Sequence, residues 1–178
     1  IVTKVASKTF VGKDIIHLAV FKKKDTRTVY NMMYRDGKGG ASYMKRFSVT
    51  GVTRDKDYDV TPGKSNTMVH YFTANPNGEA EVVTVLLRAV GSIKKLKWDI
   101  DFADLAVKGR GVRGNTITKF AIRKVEFKSS GVSTLKPRKI WFDDAVQRLN
   151  VDTRGELLGE FRAEDKILIA TQSGKIKA

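Results

Sequence analysis

Apolar residues in this chain recur at every second position, in short runs separated by glycine turns. Residues 28–34 and 43–49 show this alternation on either side of the turn at residues 36–40. A period of two places alternate side chains on opposite faces of a strand, whereas a helix needs spacings of three and four. Helical spacing is weak throughout, and residues 143–149 alone could form two helical turns. We therefore predict an all-β fold, with further strands at residues 15–21, 68–73, 80–87, 116–127 and 167–171. The strands at residues 68–73 and 80–87 should form a second hairpin around the turn at residues 75–78.

The turns between these strands recur at a period of about 40–50 residues. Gly37, Gly78, Gly131 and Gly174 follow one another at spacings of 41, 53 and 43 residues. Such a period is typical of blade repeats, in which each small sheet must stack on its neighbours to bury its faces. Chance is the alternative, because turns of this kind are common in all-β folds. We predict a propeller-like disc of about four blades, each a four-stranded antiparallel sheet, in one domain covering residues 1–178.

The charge of the chain indicates a polyanionic partner. Thirty-four Lys and Arg against 19 Asp and Glu give a formal net charge of +15. Each phosphate that a cation contacts releases condensed counterions, which favours binding. The alternative is a basic surface without a partner. No cysteine is present, and no apolar run approaches the ~20 residues of a membrane span, so we expect no membrane contact. Because the sequence begins at Ile1 without Met, we expect a fragment of a longer protein.

Two sequences imitate nucleotide-binding motifs. Residues 109–114 read G-x-G-x-x-G, but an alternating, strand-like stretch follows them where a dinucleotide site needs a helix. Residues 63–65 read Gly-Lys-Ser, the end of a P-loop, but Tyr58 occupies the position of its first glycine and Pro62 removes a backbone donor. We interpret the first as a loop and the second as a turn.

The remaining candidates for chemistry have structural explanations. His17 and His70 lie singly on separate predicted strands, without metal-ligand spacing. The carboxylates at residues 99–104 and 143–144 follow Trp98 and Trp141, where they could cap turns or pair with cations. We therefore predict no catalytic residues, no metal and no cofactor in this chain.

Residues 108–114, which we call the Gly-Arg loop, are the best candidate contact with a polyanion. Alternating glycines and cations predict an exposed, flexible loop whose backbone can approach phosphates and whose arginines offer planar forks to phosphate oxygens. Similar basic segments occur in every predicted repeat, so together they could line the rim of the disc. The predicted DNA-binding residues are Lys38, Lys45, Arg46, Lys94, Lys95, Lys97, Lys108, Arg110, Arg113, Arg123, Lys124, Arg138 and Lys139.

On these residues the chain resembles the C-terminal domain of the A subunits of bacterial type IIA topoisomerases, DNA gyrase and topoisomerase IV. Residues 109–117 are similar to the family's Gly-Arg-rich loop and the strand after it. Residues 69–78 and 165–175 are similar to its recurring blade hairpin, and residues 31–54 match further. The resemblance covers most of the chain and rests on the order and spacing of these motifs.

The resemblance implies a β-pinwheel whose basic rim binds and bends double-stranded DNA. It also implies a cytoplasmic, nucleoid-associated parent enzyme, an ATP-dependent topoisomerase. In that enzyme the rest of the A subunit would work with an ATPase B subunit in an A2B2 assembly. The DNA-cleaving tyrosine and the ATP site would lie outside this domain.

One departure bears on the paralogue. The chain lacks the Gln-Arg-Arg-Gly-Gly-Lys-Gly box of gyrase, and its length suits about four blades rather than five or six. Both features favour topoisomerase IV, and a truncated gyrase domain remains the other reading. Outside this family, the alternative function is a basic protein-interaction module that binds an acidic partner.

Overall fold

The computed structural model describes residues 13–91, 93–162 and 164–177. It is all-β, with one short 3-10 helix at Phe102–Asp104. The strand-like start at Ile1 lies outside the described residues. The strands are β1 Val29–Arg35, β2 Ser42–Ser48, β3 Met68–Asn75, β4 Glu79–Leu87, β5 Lys97–Asp101, β6 Val107–Gly109, β7 Asn115–Thr118, β8 Ile122–Ser133, β9 Arg138–Asp143, β10 Arg148–Asn150, β11 Glu156–Phe161, β12 Ile169–Ala170 and β13 Ile176–Lys177.

The chain divides into two compact units, Ile1–Gly131 and Val132–Ala178. In the first unit, one sheet has five strands: β3, β1, β2 and β6 lie side by side, and β7 also pairs with β2. A second sheet has the order β5-β4-β8. The second unit contains the sheet β10-β9-β11 and the hairpin β12–β13. These sheets have five, three, three and two strands, so four four-stranded blades stay a prediction, as does the single domain.

The five-stranded sheet is covered on both faces. β1 and β2 are antiparallel, with Met33 opposite Met44 and Met32 opposite Lys45. On one face Met33 and Met44 pack with Val83, Val85 and Phe102 of the second sheet region. On the other face Met32, Tyr34 and Phe47 form an aromatic-rich cluster whose margin includes Val60, from the β2–β3 connection. β2 is therefore buried on both faces, and its two cations, Lys45 and Arg46, are buried with it.

The hairpins with a glycine turn are those that the sequence predicts best. β1 and β2 form an antiparallel pair around the turn at residues 36–41, where Gly37 adopts φ +81°. β12 and β13 form a second hairpin, in which Gly174 adopts φ +73°. The left-handed region costs glycine nothing, which is why these turns are readable in the sequence.

Five local predictions were wrong. Residues 15–21 form no strand, and the single strand predicted at residues 116–127 is divided between β7 and β8, which lie in different sheets. A tight turn joins β3 to β4, but β4 pairs with β5 and β8 instead of forming a hairpin with β3. Gly131 lies inside β8 rather than in a turn, and a Cβ there would lie 2.6 Å from the Ala80 carbonyl oxygen. Residues 143–149 form a turn that leads into β10, not helical turns.

Candidate nucleic-acid interface

The Gly-Arg loop runs along one edge of the five-stranded sheet. β6, which includes the first two residues of the loop, pairs parallel with β2, and β7, after the loop, pairs antiparallel with the same strand. Within the loop, the Val112 amide donates to the Gly109 carbonyl over 3.2 Å. A strand, and not a helix, follows the loop, as the alternating sequence after it predicted.

The glycine that ends the loop is required by its own sheet. Gly114 adopts φ +97°, and a Cβ there would lie 2.3 Å from the Met44 carbonyl oxygen. Residues with side chains rarely adopt this conformation, and none could come so close to β2. The sequence-based interpretation assigned the glycines to close approach of a polyanion. At position 114 the close approach is to β2.

Lys45 holds the loop from beneath. Its side chain is 4% exposed. Its ammonium donates to the carbonyl oxygens of Val60, Arg110 and Val112, over 2.5, 2.5 and 2.9 Å. Burial lowers the pKa of Lys45 to about 8. These contacts fix two carbonyls of a loop for which the sequence predicted flexibility, and they turn Lys45 away from solvent.

The two arginines of the loop lie over aromatic rings, Arg110 half-buried and Arg113 exposed. The Arg110 guanidinium lies 3.9 Å from the centre of the Tyr58 ring and donates to the Gly51 carbonyl over 2.8 Å. The exposed Arg113 lies 5.6 Å from the centre of the Tyr43 ring. Cations over aromatic faces are attracted by the ring quadrupole, which restricts their orientation. Sequence reasoning did not place Tyr58 in this site, because its chain neighbours, Asp57 and Asp59, are acidic and gave no sign of a contact with a basic loop.

The backbone of Arg113 is fixed by a buried phenol. Tyr34 donates its hydroxyl to the Arg113 carbonyl over 2.7 Å. Burial raises the pKa of Tyr34 to about 12, so this donor stays protonated at neutral pH. The loop is thus held by Tyr34 at one point and by Lys45 at two others.

Other cations lie near the same strand. Lys108 is exposed on β6, opposite Phe47 of β2. Lys38 is exposed in the β1–β2 turn. Lys24 was not among the predicted contacts, and its amide donates to the Thr50 carbonyl just beyond β2, over 2.9 Å. We call Lys38, Lys108, Arg110 and Arg113 the cationic edge.

Arg46 does not belong to this edge. It is 1% exposed and donates through Nε to Asn31 over 3.0 Å and through Nη2 to the Gly78 carbonyl over 3.0 Å. Asn31 in turn donates to Glu81 over 2.9 Å. With Lys45 and Arg46 both buried and engaged by protein acceptors, we remove both from the phosphate contacts and assign them structural roles.

The other predicted contacts lie elsewhere. Those in the first unit are exposed at the start of β5 and on β8, where Lys124 pairs with Glu126 over 2.8 Å. Those in the second unit are exposed on β9. These residues are Lys94, Lys95, Lys97, Arg123 and Lys124 in the first unit, and Arg138 and Lys139 in the second.

The carboxylates have the structural roles predicted for them. Asp99 accepts from Thr84 over 2.6 Å and pairs with Lys128 over 2.5 Å. Asp101 caps the 3-10 helix by accepting from the Ala103 amide, and Asp143 accepts from the Ala145 amide. Across the residues that the structure describes, no group of three or more His, Cys, Asp or Glu could hold a metal. In the same residues no helix is long and apolar enough to cross a membrane.

Fold and site together define a basic, all-β domain with arginines displayed at a sheet edge. The chain belongs to the topoisomerase C-terminal domain family of Bacteroidota, whose family model matches residues 1–130 and 148–178. No curated protein and no solved structure matches the chain. The resemblance to a topoisomerase C-terminal domain is thereby confirmed, while the particular subunit stays a prediction. The Gly-Arg loop lies inside the matched residues, whereas Arg138 and Lys139 fall in the stretch that the family model skips.

Proposed function

We propose that this chain is a DNA-binding accessory domain of a topoisomerase A subunit, and that its cationic edge holds the backbone of a double helix. The proposal depends on the geometry of the Gly-Arg loop. Hydrogen bonds from Lys45 and Tyr34 fix its backbone to the sheet, while its two guanidinium groups lie over aromatic rings. Side chains that are oriented before binding lose less conformational entropy when a ligand arrives.

The chemistry of the edge suits phosphates rather than bases. Guanidinium groups offer two parallel donors to a phosphate, and Lys108 and Lys38 add point charges. Phosphate contacts position a protein on DNA but carry no sequence information. We therefore expect sequence-tolerant binding that guides or bends the duplex and presents it for strand passage.

The wider setting is part of the same proposal. The domain would work in the cytoplasm, on the nucleoid, joined to the rest of an A subunit and assembled with an ATPase B subunit as A2B2. Strand cleavage and ATP hydrolysis would belong to those other parts, and this domain would need no cofactor. We propose topoisomerase IV over gyrase, and a four-bladed β-pinwheel as the architecture.

The salt dependence of binding tests the proposal. The logarithm of the association constant should fall linearly with the logarithm of salt concentration, with a slope near −0.9 for each phosphate contact. Replacing Arg110 and Arg113 with Ala should weaken binding to all duplexes alike and reduce the slope by about two. The matched control is Arg148→Ala with Arg154→Ala, which removes the same charge from exposed positions of the second unit.

Three results would count against the proposal. A flat salt dependence between roughly 50 and 200 mM would exclude phosphate contacts as the source of affinity. Equal losses from the two double variants would show that net charge matters and the edge does not. Binding no stronger than that of a charge-matched control protein would favour the alternative, a module for an acidic protein partner.

A further inference from the structure

Lys45 is a buried cation without an acidic partner. It lies at the centre of β2, with Phe47 on the same face and 4.8 Å from its ammonium to the ring centre. Within the described part of the chain, no carboxylate lies at ion-pair distance from it. A charged group is costly to bury unless its donors are satisfied. Here three backbone carbonyls supply the acceptors, one from the β2–β3 connection and two from the Gly-Arg loop.

We propose that Lys45 is the positioning residue of the DNA-binding edge: its ammonium gathers the carbonyls of Val60, Arg110 and Val112 and so fixes the direction in which Arg110 and Arg113 leave the loop. The inference rests on the proposed function for its consequence in DNA binding. The ordering of the loop by Lys45 is independent of the proposed function.

The number of donors explains why the charge matters. An ammonium has three N–H donors and no acceptor, which matches three carbonyl oxygens. A neutral amine has two N–H donors and a lone pair, so one carbonyl would lose its donor and face the lone pair instead. The loop is then held by one contact fewer, and the binding-competent arrangement of the arginines becomes less populated.

The pH range for this loss follows from burial, which lowers the pKa of Lys45 to about 8. The unfolded chain keeps this lysine protonated to higher pH, so between pH 8 and 10 the unfolded state binds more protons and this group makes folding more favourable as pH rises. Deprotonation of Lys45 therefore does not itself favour unfolding in this range. The titratable or charged groups on the segments around Lys45 are Tyr34, Tyr43, Tyr58, Asp59, Asp104, Lys108, Arg110 and Arg113.

Hydrogen exchange tests the ordering of the loop without DNA. In Lys45→Met, exchange of the Val112 amide should accelerate at least tenfold, while the amides shared by β1 and β2 keep their protection. Lys108→Met is the matched control, because it removes a lysine lining the same cavity and should leave loop exchange unchanged. Unchanged loop exchange in a folded Lys45→Met protein would overturn the inference, whatever the protein does with DNA.

DNA titrations test the consequence. Lys45→Met should reduce the salt slope by about two, as Arg110→Ala with Arg113→Ala does, although Lys45 touches no phosphate. Adding both Ala substitutions to Lys45→Met should change little more. Lys108→Met should reduce the slope by about one. A wild-type slope retained in Lys45→Met, beside a reduced slope in the arginine variant, would overturn the positioning role and leave the proposed function standing.

A pH profile separates positioning from general stability. Between pH 7 and 9 the wild-type association constant should fall roughly fivefold, which corresponds to one hydrogen bond of about 1 kcal/mol. Lys45→Met should show no such fall. The pKa of Tyr58, which stacks on Arg110, is lowered by a hydrogen bond from Thr53, and both proteins keep it, so the difference between the profiles isolates Lys45. If Lys45→Met does not fold, Lys45→Gln replaces it, and parallel profiles overturn the inference.

Discussion

Replacing Arg46 with Leu should destabilise the protein severely, although the sequence placed this residue on a DNA-binding surface. The guanidinium is 1% exposed and donates to Asn31 and to the Gly78 carbonyl, each over 3.0 Å. Behind it, Asn31 donates to the carboxylate of Glu81, which is 7% exposed. Leu removes the cation and leaves these acceptors buried without it.

The magnitude follows from the contacts that are lost. Hydrogen bonds to charged groups contribute about 1.5–3 kcal/mol each, and those to Asn31 and Gly78 are lost with the guanidinium. Breaking a buried charge network by removing one partner costs about 3–5 kcal/mol, because the remaining carboxylate stays buried. We therefore expect the free energy of unfolding to fall by about 3–5 kcal/mol. Replacing Glu81 with Leu in addition should recover part of the loss, since the buried Glu81 carboxylate is then removed together with the cation.

Urea denaturation followed by circular dichroism measures this effect. Arg123→Leu serves as the control, because it removes an exposed arginine of the same unit and should change stability by no more than about 0.5 kcal/mol. The reasoning is refuted if Arg46→Leu unfolds within about 1 kcal/mol of wild type and instead loses affinity for DNA. That combination would return Arg46 to the phosphate contacts.

Further predictions concern single contacts. Gly114→Ala should lower the free energy of unfolding by about 1–3 kcal/mol in urea, because φ +97° and the Met44 carbonyl exclude a Cβ. Gly131→Ala should destabilise by a similar amount through Ala80, whereas Gly111→Ala, with open space around it, should be neutral. Tyr58→Ala should weaken DNA binding roughly two- to fivefold by removing the Arg110 stack, as seen in titrations at constant salt, while Tyr58→Phe keeps the ring and should bind normally.

The sequence was most informative where the backbone needs a special residue. Asp36-Gly37 and Ser173-Gly174 located two turns, since few residues other than glycine adopt positive φ readily. Gly131 misled because a glycine can also serve close approach between strands, as it does against Ala80. The repeat spacing therefore counted Gly131 as a turn although it lies inside β8. The assumption that all four glycines mark equivalent turns was the weakest step in predicting the number of blades.

The sequence predicted where strands lie better than it predicted which strands pair. β3 and β4 were both expected from their alternation, with a tight turn between them, and that pattern normally predicts a hairpin. Instead β3 pairs with β1 and β4 pairs with β5. Pairing partners depend on contacts distant in sequence, and alternation records only which residues share a face.

In the candidate site, the sequence likewise could not show which basic residues are buried. Lys45 and Arg46 are adjacent in β2, so their side chains point to opposite faces, and in a half-buried strand one of them would reach solvent. Neither does, because aromatic residues cover one face of the sheet and the second sheet region covers the other. Composition shows that the chain has 34 Lys and Arg residues, but it does not show which of them are buried and which form the cationic edge. Lys45 donates to two carbonyls of the Gly-Arg loop, and Arg46, its neighbour on the strand, joins two sheets through Asn31 and Glu81. The basic residues of a candidate DNA-binding surface therefore have to be separated by burial before any of them is counted as a contact.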